Sequence, residues 1–109
     1  MALEDRKMSK IFAFLEKEEE RELAVRAGQG DKEANDRLIT SHFNYVVKLA
    51  KGYRRSGVPM PDLIQEGMIG LAQAVKRFNP DRNVRLSTYA MWWIRASMQD
   101  HIVKSWSVV

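Results

Sequence analysis

From Ser87 to Ser105 the apolar residues fall on two sides of a single helix. Met91, Ile94, Met98 and Ile102 recur at three and four, which gathers them on one face. Tyr89, Trp92 and Trp93 recur at the same spacings on another side. A helix in a small domain needs only one apolar stripe to join a core. The second face is built from large flat rings and stands beside Arg82, Arg85 and Arg95. Two readings explain it. All three rings are buried, or they stack on unpaired nucleic-acid bases while arginine neutralises phosphate.

The remaining pattern is also helical, and no segment alternates as a strand would. The expected fold is all-α, a compact bundle of about four helices. A first helical stretch runs from near Ser9 to the Gly28-Gln29-Gly30 stop, with Ile11, Phe12, Phe14 and Leu15 as an apolar patch at its front. The Glu-rich part at 16–22 reads as a solvated face, separable as its own helix. Asp31 suits the N-cap of a second helix. Leu38, His42, Tyr45, Val46, Leu49 and Tyr53 then mark one long amphipathic helix to about Arg54, broken by Ser56-Gly57-Val58-Pro59. Pro61 suits the first turn of a third helix, with Ile64, Met68, Leu71, Val75 and Phe78 as its buried stripe. Asp62, Gln65, Glu66, Ile69, Gln73 and Lys76 fall on its other side, and Asn79-Pro80-Asp81 ends it. Ser87 or Thr88 is the expected cap of the fourth helix.

Charge is unevenly spread. Residues 1–36 hold ten acidic and seven basic side chains, and residues 37–109 hold four and eleven. That split predicts an acidic flank and a basic working surface, and the Gly28-Gln29-Gly30 stop divides the chain into an acidic N-terminal helical segment (1–30) and a helical domain (31–109). Cysteine is absent, so disulfides and thiolate metal sites are excluded. His42 and His101 stand alone, with no metal-ligand spacing. No phosphate loop or nucleophile elbow is present, and the carboxylates crowd at the N-terminus in a solvent-facing pattern. A non-enzyme without cofactor or metal is expected. No apolar run nears the ~20 residues that span a bilayer, and no export signal is seen, so the expected location is the cytoplasm. The apolar ending Trp106-Ser107-Val108-Val109 reads as a cut through a longer protein. Gly67 and Gly70 cost a helix up to ~1 kcal/mol each against alanine. A partner helix in close approach would explain both glycines and the polar patch around Gln65.

DLIQEG at 62–67, then GL, AV and FNP, then RLSTYAMWWIR at 85–95, together resemble region 2 of the sigma-70 family of bacterial RNA polymerase sigma factors. The likeness covers about Asp31 to Val109 and is weaker in the Glu-rich segment before it, which is similar to region 1.2. SH-x-x-x-VV at 41–47, Val84-Arg85-Leu86 and KSWSVV look like the heat-shock, sigma-32-like branch.

The resemblance implies two partners, core RNA polymerase and promoter DNA. The DLIQEG helix of the family docks on a coiled coil of the polymerase β′ subunit. Asp62, Gln65, Glu66, Met68 and Ile69 match that surface. The aromatic helix captures the non-template strand of the minus-ten element. Tyr89, Trp92 and Trp93 match the residues that pocket and wedge a flipped adenine, and Ser87 and Thr88 lie near a second captured base. Arg82 and Arg85 match holders of the strand's phosphates, Arg95 extends the basic rim, and Gln99 falls at the upstream edge of the element. Several positions depart from the pattern. Val84 and Leu86 replace aromatics of housekeeping members, Met68 replaces an asparagine, Phe43-Asn44-Tyr45 replace Leu-Arg-Leu, and Ala96 replaces a polar reader. The alternative reading is a sigma-like decoy or regulatory protein that binds an anti-sigma factor or polymerase without promoter melting.

Overall fold

A computed structural model describes residues 15–107 of the chain. Ser9, Ile11, Phe12 and Phe14, at the expected front of the first helix, lie outside the described residues. Five α-helices follow in order: α1 Lys17–Gly28, α2 Lys32–Ser41, α3 Phe43–Lys51, α4 Met60–Arg77 and α5 Leu86–Trp106. A 3-10 turn, Arg54–Ser56, follows α3. The described residues hold no strand.

The glycine stop after α1 and the Asp31 cap of α2 are both present. Asp31 Oδ1 accepts the Ala34 N–H at 3.2 Å, and Oδ2 pairs with Arg26 at 2.8 Å. The Ala34 N–H and then Arg26 hold its carboxyl below the usual carboxylate range. One side chain therefore starts α2 and ties it to the end of α1.

The single helix expected from Asp31 to Arg54 is two helices, broken at His42. The cause is competition for one carbonyl. A continuous helix would give the Leu38 C=O to the His42 N–H. Instead Ser41 Oγ donates to it at 2.9 Å and His42 Nδ1 reaches it at 2.8 Å. A carbonyl only accepts, so Nδ1 carries the proton. The His42 N–H turns to the Ile39 C=O at 3.1 Å, and the residue settles at φ −103°, ψ 6°. Side-chain donors drawing backbone out of a helix are a known route to such breaks.

His42 is fully buried at this break. Burial pushes its imidazole below the usual value of 6.5, against a weaker pull from the Leu38 bond and Glu20. Folding thus favours the neutral ring. As pH falls below about 6.5 the unfolded chain takes the proton first, so stability declines. Above that pH both states are neutral and the term vanishes. Melting at pH 7.5 and 5.5 should show this loss in the wild type and a smaller one in His42→Asn. Equal losses would remove His42 as the cause.

α4 and α5 form the main packed pair. Leu86, Ala90, Ile94, Met98 and Ile102 are buried, one at every fourth residue. Such a row drifts about 40° per step around a helix of 3.6 residues per turn. Met91, expected in the core stripe, is only half-buried, because the row passes through Ala90 instead. The α4 stripe is also shifted. Its centre is Leu63, Gly67, Gly70, Leu71 and Ala74, with Ile64, Met68 and Phe78 half-buried on its flank. Small residues set that centre. A Cβ on Gly70 would lie 2.5 Å from the Trp93 carbonyl oxygen, and one on Gly67 would collide with the Met98 methyl and Val46. The helix in close approach is α5 of the same chain, so the glycines do not call for an outside partner.

The Glu-rich segment is not wholly a solvated face. Glu20 is only 3% exposed, and α1 lies across the chain that leads into α5. Neither Ser87 nor Thr88 caps α5. Its N-cap is Arg85, which supplies no side-chain bond. The Leu86 N–H is satisfied by Glu20 Oε2 at 3.0 Å, 66 residues away in sequence. A carboxylate at a helix start also meets the positive end of the dipole.

Candidate nucleic-acid interface

The Asn79-Pro80-Asp81 break turns the chain so that the end of α4 meets the first turns of α5. Phe78 faces Tyr89 with ring centroids 5.8 Å apart, and Tyr89 faces Trp93 at 6.3 Å. Both pairs are tilted, a geometry favoured by aromatic quadrupoles. The Arg77 guanidinium lies 5.3 Å from the Trp93 ring centroid. Tyr89 and Trp93 are half-buried and pack against the edge of the core, while Trp92 is 67% exposed. The rings therefore stand at the margin of the interior with faces left open, neither engulfed nor fully free.

Beside them lies a cleft of about 390 Å³, lined by Arg77, Phe78, Asn79, Arg82, Val84 and Tyr89. That volume falls within the roughly 300–1,000 Å³ typical of small-molecule sites. Its floor is aromatic and its rim cationic. Arg82 and Arg95 are exposed, and neither enters an ion pair among the described residues. Val84 is 46% exposed at the rim and offers no ring.

Arg85 is placed differently. Its Nε and one terminal nitrogen each donate to Glu20 at 3.2 Å, and that same nitrogen donates to the Leu15 C=O at 2.7 Å. Its cation is thus drawn toward α1, although its side chain remains 40% exposed. Arg21 pairs with Asp81 at 3.1 Å, and Lys17 reaches Asn83 at 3.4 Å. These contacts strap the 80–86 segment to α1. Ser87 is half-buried and Thr88 exposed in the first turn of α5. Gln99 lies three turns along, exposed, and donates to the Tyr53 hydroxyl at 2.8 Å.

The matches to the polymerase-binding surface lie on α4. Asp62, Gln65 and Ile69 are exposed on one stripe, Ile69 at 51%. Glu66 is half-buried with Oε1 3.4 Å from His101 Nδ1 on α5. Met68 packs against the core edge, so its side chain is partly taken up by the fold. The two surfaces occupy the two helices locked together at Gly67 and Gly70.

Sequence reasoning missed Arg77 as part of this site and read Phe78 only as core. Both immediately precede the Asn79-Pro80 break, which folds them back onto Tyr89. Glu20 gave no signal, being one of five glutamates within 16–22.

With that geometry in place, the likeness to known proteins is decisive. Residues 38–108 match the family model described as Sigma-70 region 2. The chain belongs to the sigma-70 family. The sigma factor RpoH of Rhizobium radiobacter is 52% identical over 99 residues, covering 90% of this chain and 33% of that protein. RpoH of Zymomonas mobilis is likewise 52% identical, with the same coverage. The sigma-C factor of Myxococcus xanthus is 47% identical over 98 residues, again 90% of this chain and 33% of its own length. The chain thus spans about a third of the relatives it matches, and its region 2 is of the heat-shock-like kind. No helix among the described residues is long and apolar enough to cross a membrane.

Proposed function

We propose that this region 2 binds core RNA polymerase through the exposed stripe of α4 and captures non-template minus-ten bases with the rings of α5. The observation that carries this reading is the open aromatic cleft rimmed by Arg77 and Arg82. Flipping a base costs a few kcal/mol of lost stacking. Stacking on one aromatic returns ~1–3 kcal/mol per base. A single ring therefore barely offsets the cost. Tyr89, Trp92 and Trp93 acting together, with phosphates held by Arg82 and Arg95, tip the balance. Val84 supplies no additional ring, so the isolated chain binds weakly and depends on polymerase for the remaining affinity. Much of its own affinity is electrostatic and falls steeply with salt.

Trp93→Ala is expected to weaken binding of the non-template minus-ten strand by about 5- to 150-fold, the equivalent of one stacked base. A scrambled strand should bind the wild type no better than it binds the variant. The docking arm is separate. Gln65→Ala and Asp62→Ala should lower retention on core polymerase while leaving strand binding unchanged. Undiminished retention in both would contradict docking through α4. The implied locale of both partners is the bacterial cytoplasm.

A further inference from the structure

Glu66 is set apart from its neighbours on the α4 stripe. Asp62 and Gln65 are exposed, whereas Glu66 is half-buried and leans on α5. Its Oε1 lies 3.4 Å from His101 Nδ1, with the Glu66 side chain 28% and the His101 ring 35% exposed. Each group therefore keeps an edge in water. The separation is that of an ionic contact rather than a short hydrogen bond. Its strength then depends on whether the imidazole is charged. Histidine is the side chain whose charge changes between about pH 5 and 8.

The surrounding charges leave His101 as the member able to change. On its own helix Asp100 takes Lys104 at 2.9 Å. Asp100, and to a smaller degree Glu66, hold the Lys104 ammonium above its usual range, so it stays charged throughout. On α4, Asp62 stands exposed one turn before Glu66. α3 and the 3-10 turn meet α5 through Tyr53 on Gln99 and Ser56 on Trp106. Both contacts lie about 140–160° around the helix from His101. Lys48, Lys51, Arg54 and Arg55 thus belong to elements on another side of α5.

We propose, resting on the docking reading of α4, that His101 competes with polymerase for the Glu66 carboxylate. With a neutral ring, Glu66 and Asp62 both present negative charge to a basic partner surface. With a protonated ring, Glu66 pairs inward and Asp62 is left as the outward-facing acid of the stripe. Docking therefore weakens as pH falls through the histidine range.

The test measures the affinity of the full chain for core polymerase between about pH 8 and about pH 6. It is run at a temperature where circular dichroism shows every variant folded. Groups on polymerase titrate too, so the quantity read is the loss in wild type beyond that in His101→Gln, which cannot ionise. This excess should be about two- to fivefold, the scale of a partly exposed ion pair. His101→Lys, always charged, should bind at about pH 8 as weakly as wild type does at about pH 6. Glu66→Gln should bind weakly and lack the excess loss. His42→Asn should retain it, which separates the effect from the acid-sensitive stability at His42. Equal pH profiles in wild type and His101→Gln would overturn the proposal, as would full-strength binding by His101→Lys. If Asp62→Ala weakens binding while those profiles coincide, docking stands and the competition falls. Undiminished binding in Asp62→Ala, Gln65→Ala and Glu66→Gln would overturn both.

Discussion

Gly70→Ala is expected to destabilise the domain by about 2–3 kcal/mol, toward the upper end for overpacking. The new Cβ would sit 2.5 Å from the Trp93 carbonyl oxygen, 2.9 Å from its carbon and 2.8 Å from Ser97 Oγ. Backbone cannot swing aside as a side chain does, so α4 and α5 must move apart. For a domain of about this size the loss corresponds to a fall in Tm of roughly 10–20 °C. Trp93 is itself the residue struck, so strand binding should weaken in the fraction that remains folded. Two glycines serve as controls. Gly67→Ala meets side chains rather than backbone, the mobile end of Met98 and the stiffer Val46 Cγ1 at 2.7 Å, so it should cost stability too, though less than Gly70→Ala. Gly28→Ala meets nothing within 4 Å and lies at the end of α1. It should be neutral or stabilising by up to ~1 kcal/mol. Thermal melts of the three variants settle the order, and a Gly70→Ala melt matching Gly28→Ala would contradict the packing described.

Glu20→Ala is expected to cost about 2–4 kcal/mol. The side chain accepts from Arg85 and from the Leu86 N–H while almost wholly buried. Its removal orphans a buried helix-start N–H, which alone costs about 1–3 kcal/mol. It also leaves Arg85 with only the Leu15 carbonyl. Arg85 is partly solvated, so its share is discounted from the 3–5 kcal/mol seen when fully buried pairs are broken. Tyr89 stands one turn beyond the capped residue, so a frayed start to α5 would also loosen the cleft. A double-mutant cycle of Glu20→Gln and Arg85→Gln should give a coupling above about 1 kcal/mol. Coupling near zero would mean that the pair is incidental.

The helices, their glycine and proline stops and the aromatic helix were legible because each is written in local spacing. Tyr89, Trp92, Trp93 and Arg82 could be grouped as one candidate site for the same reason. Other features depend on residues distant in sequence. Nothing near Ser87 indicates that its helix is capped by Glu20, and nothing in EKEEERE distinguishes Glu20 from its neighbours. The break at His42 reflects a contest for the Leu38 carbonyl that apolar periodicity does not register. The α4 stripe was displaced because bulky residues mark a pattern more visibly than Gly67, Gly70 and Ala74, although these small residues make the tightest contact. Arg85 reads as a free cation in sequence, and the fold gives it to Glu20. Arg77 reads as an ordinary helix-end charge, and the fold sets it on Trp93.

What remains to be measured most directly is whether these marginal rings hold a nucleotide drawn out of its strand. A thermodynamic cycle answers it, pairing Trp93→Ala or Tyr89→Ala with a minus-ten strand made abasic at the captured adenine. Removing the ring or removing the base should each weaken binding by about 5- to 150-fold, and removing both should cost little more than either alone. Losses that simply multiply would show that ring and base never meet, and the cleft would then have some other purpose.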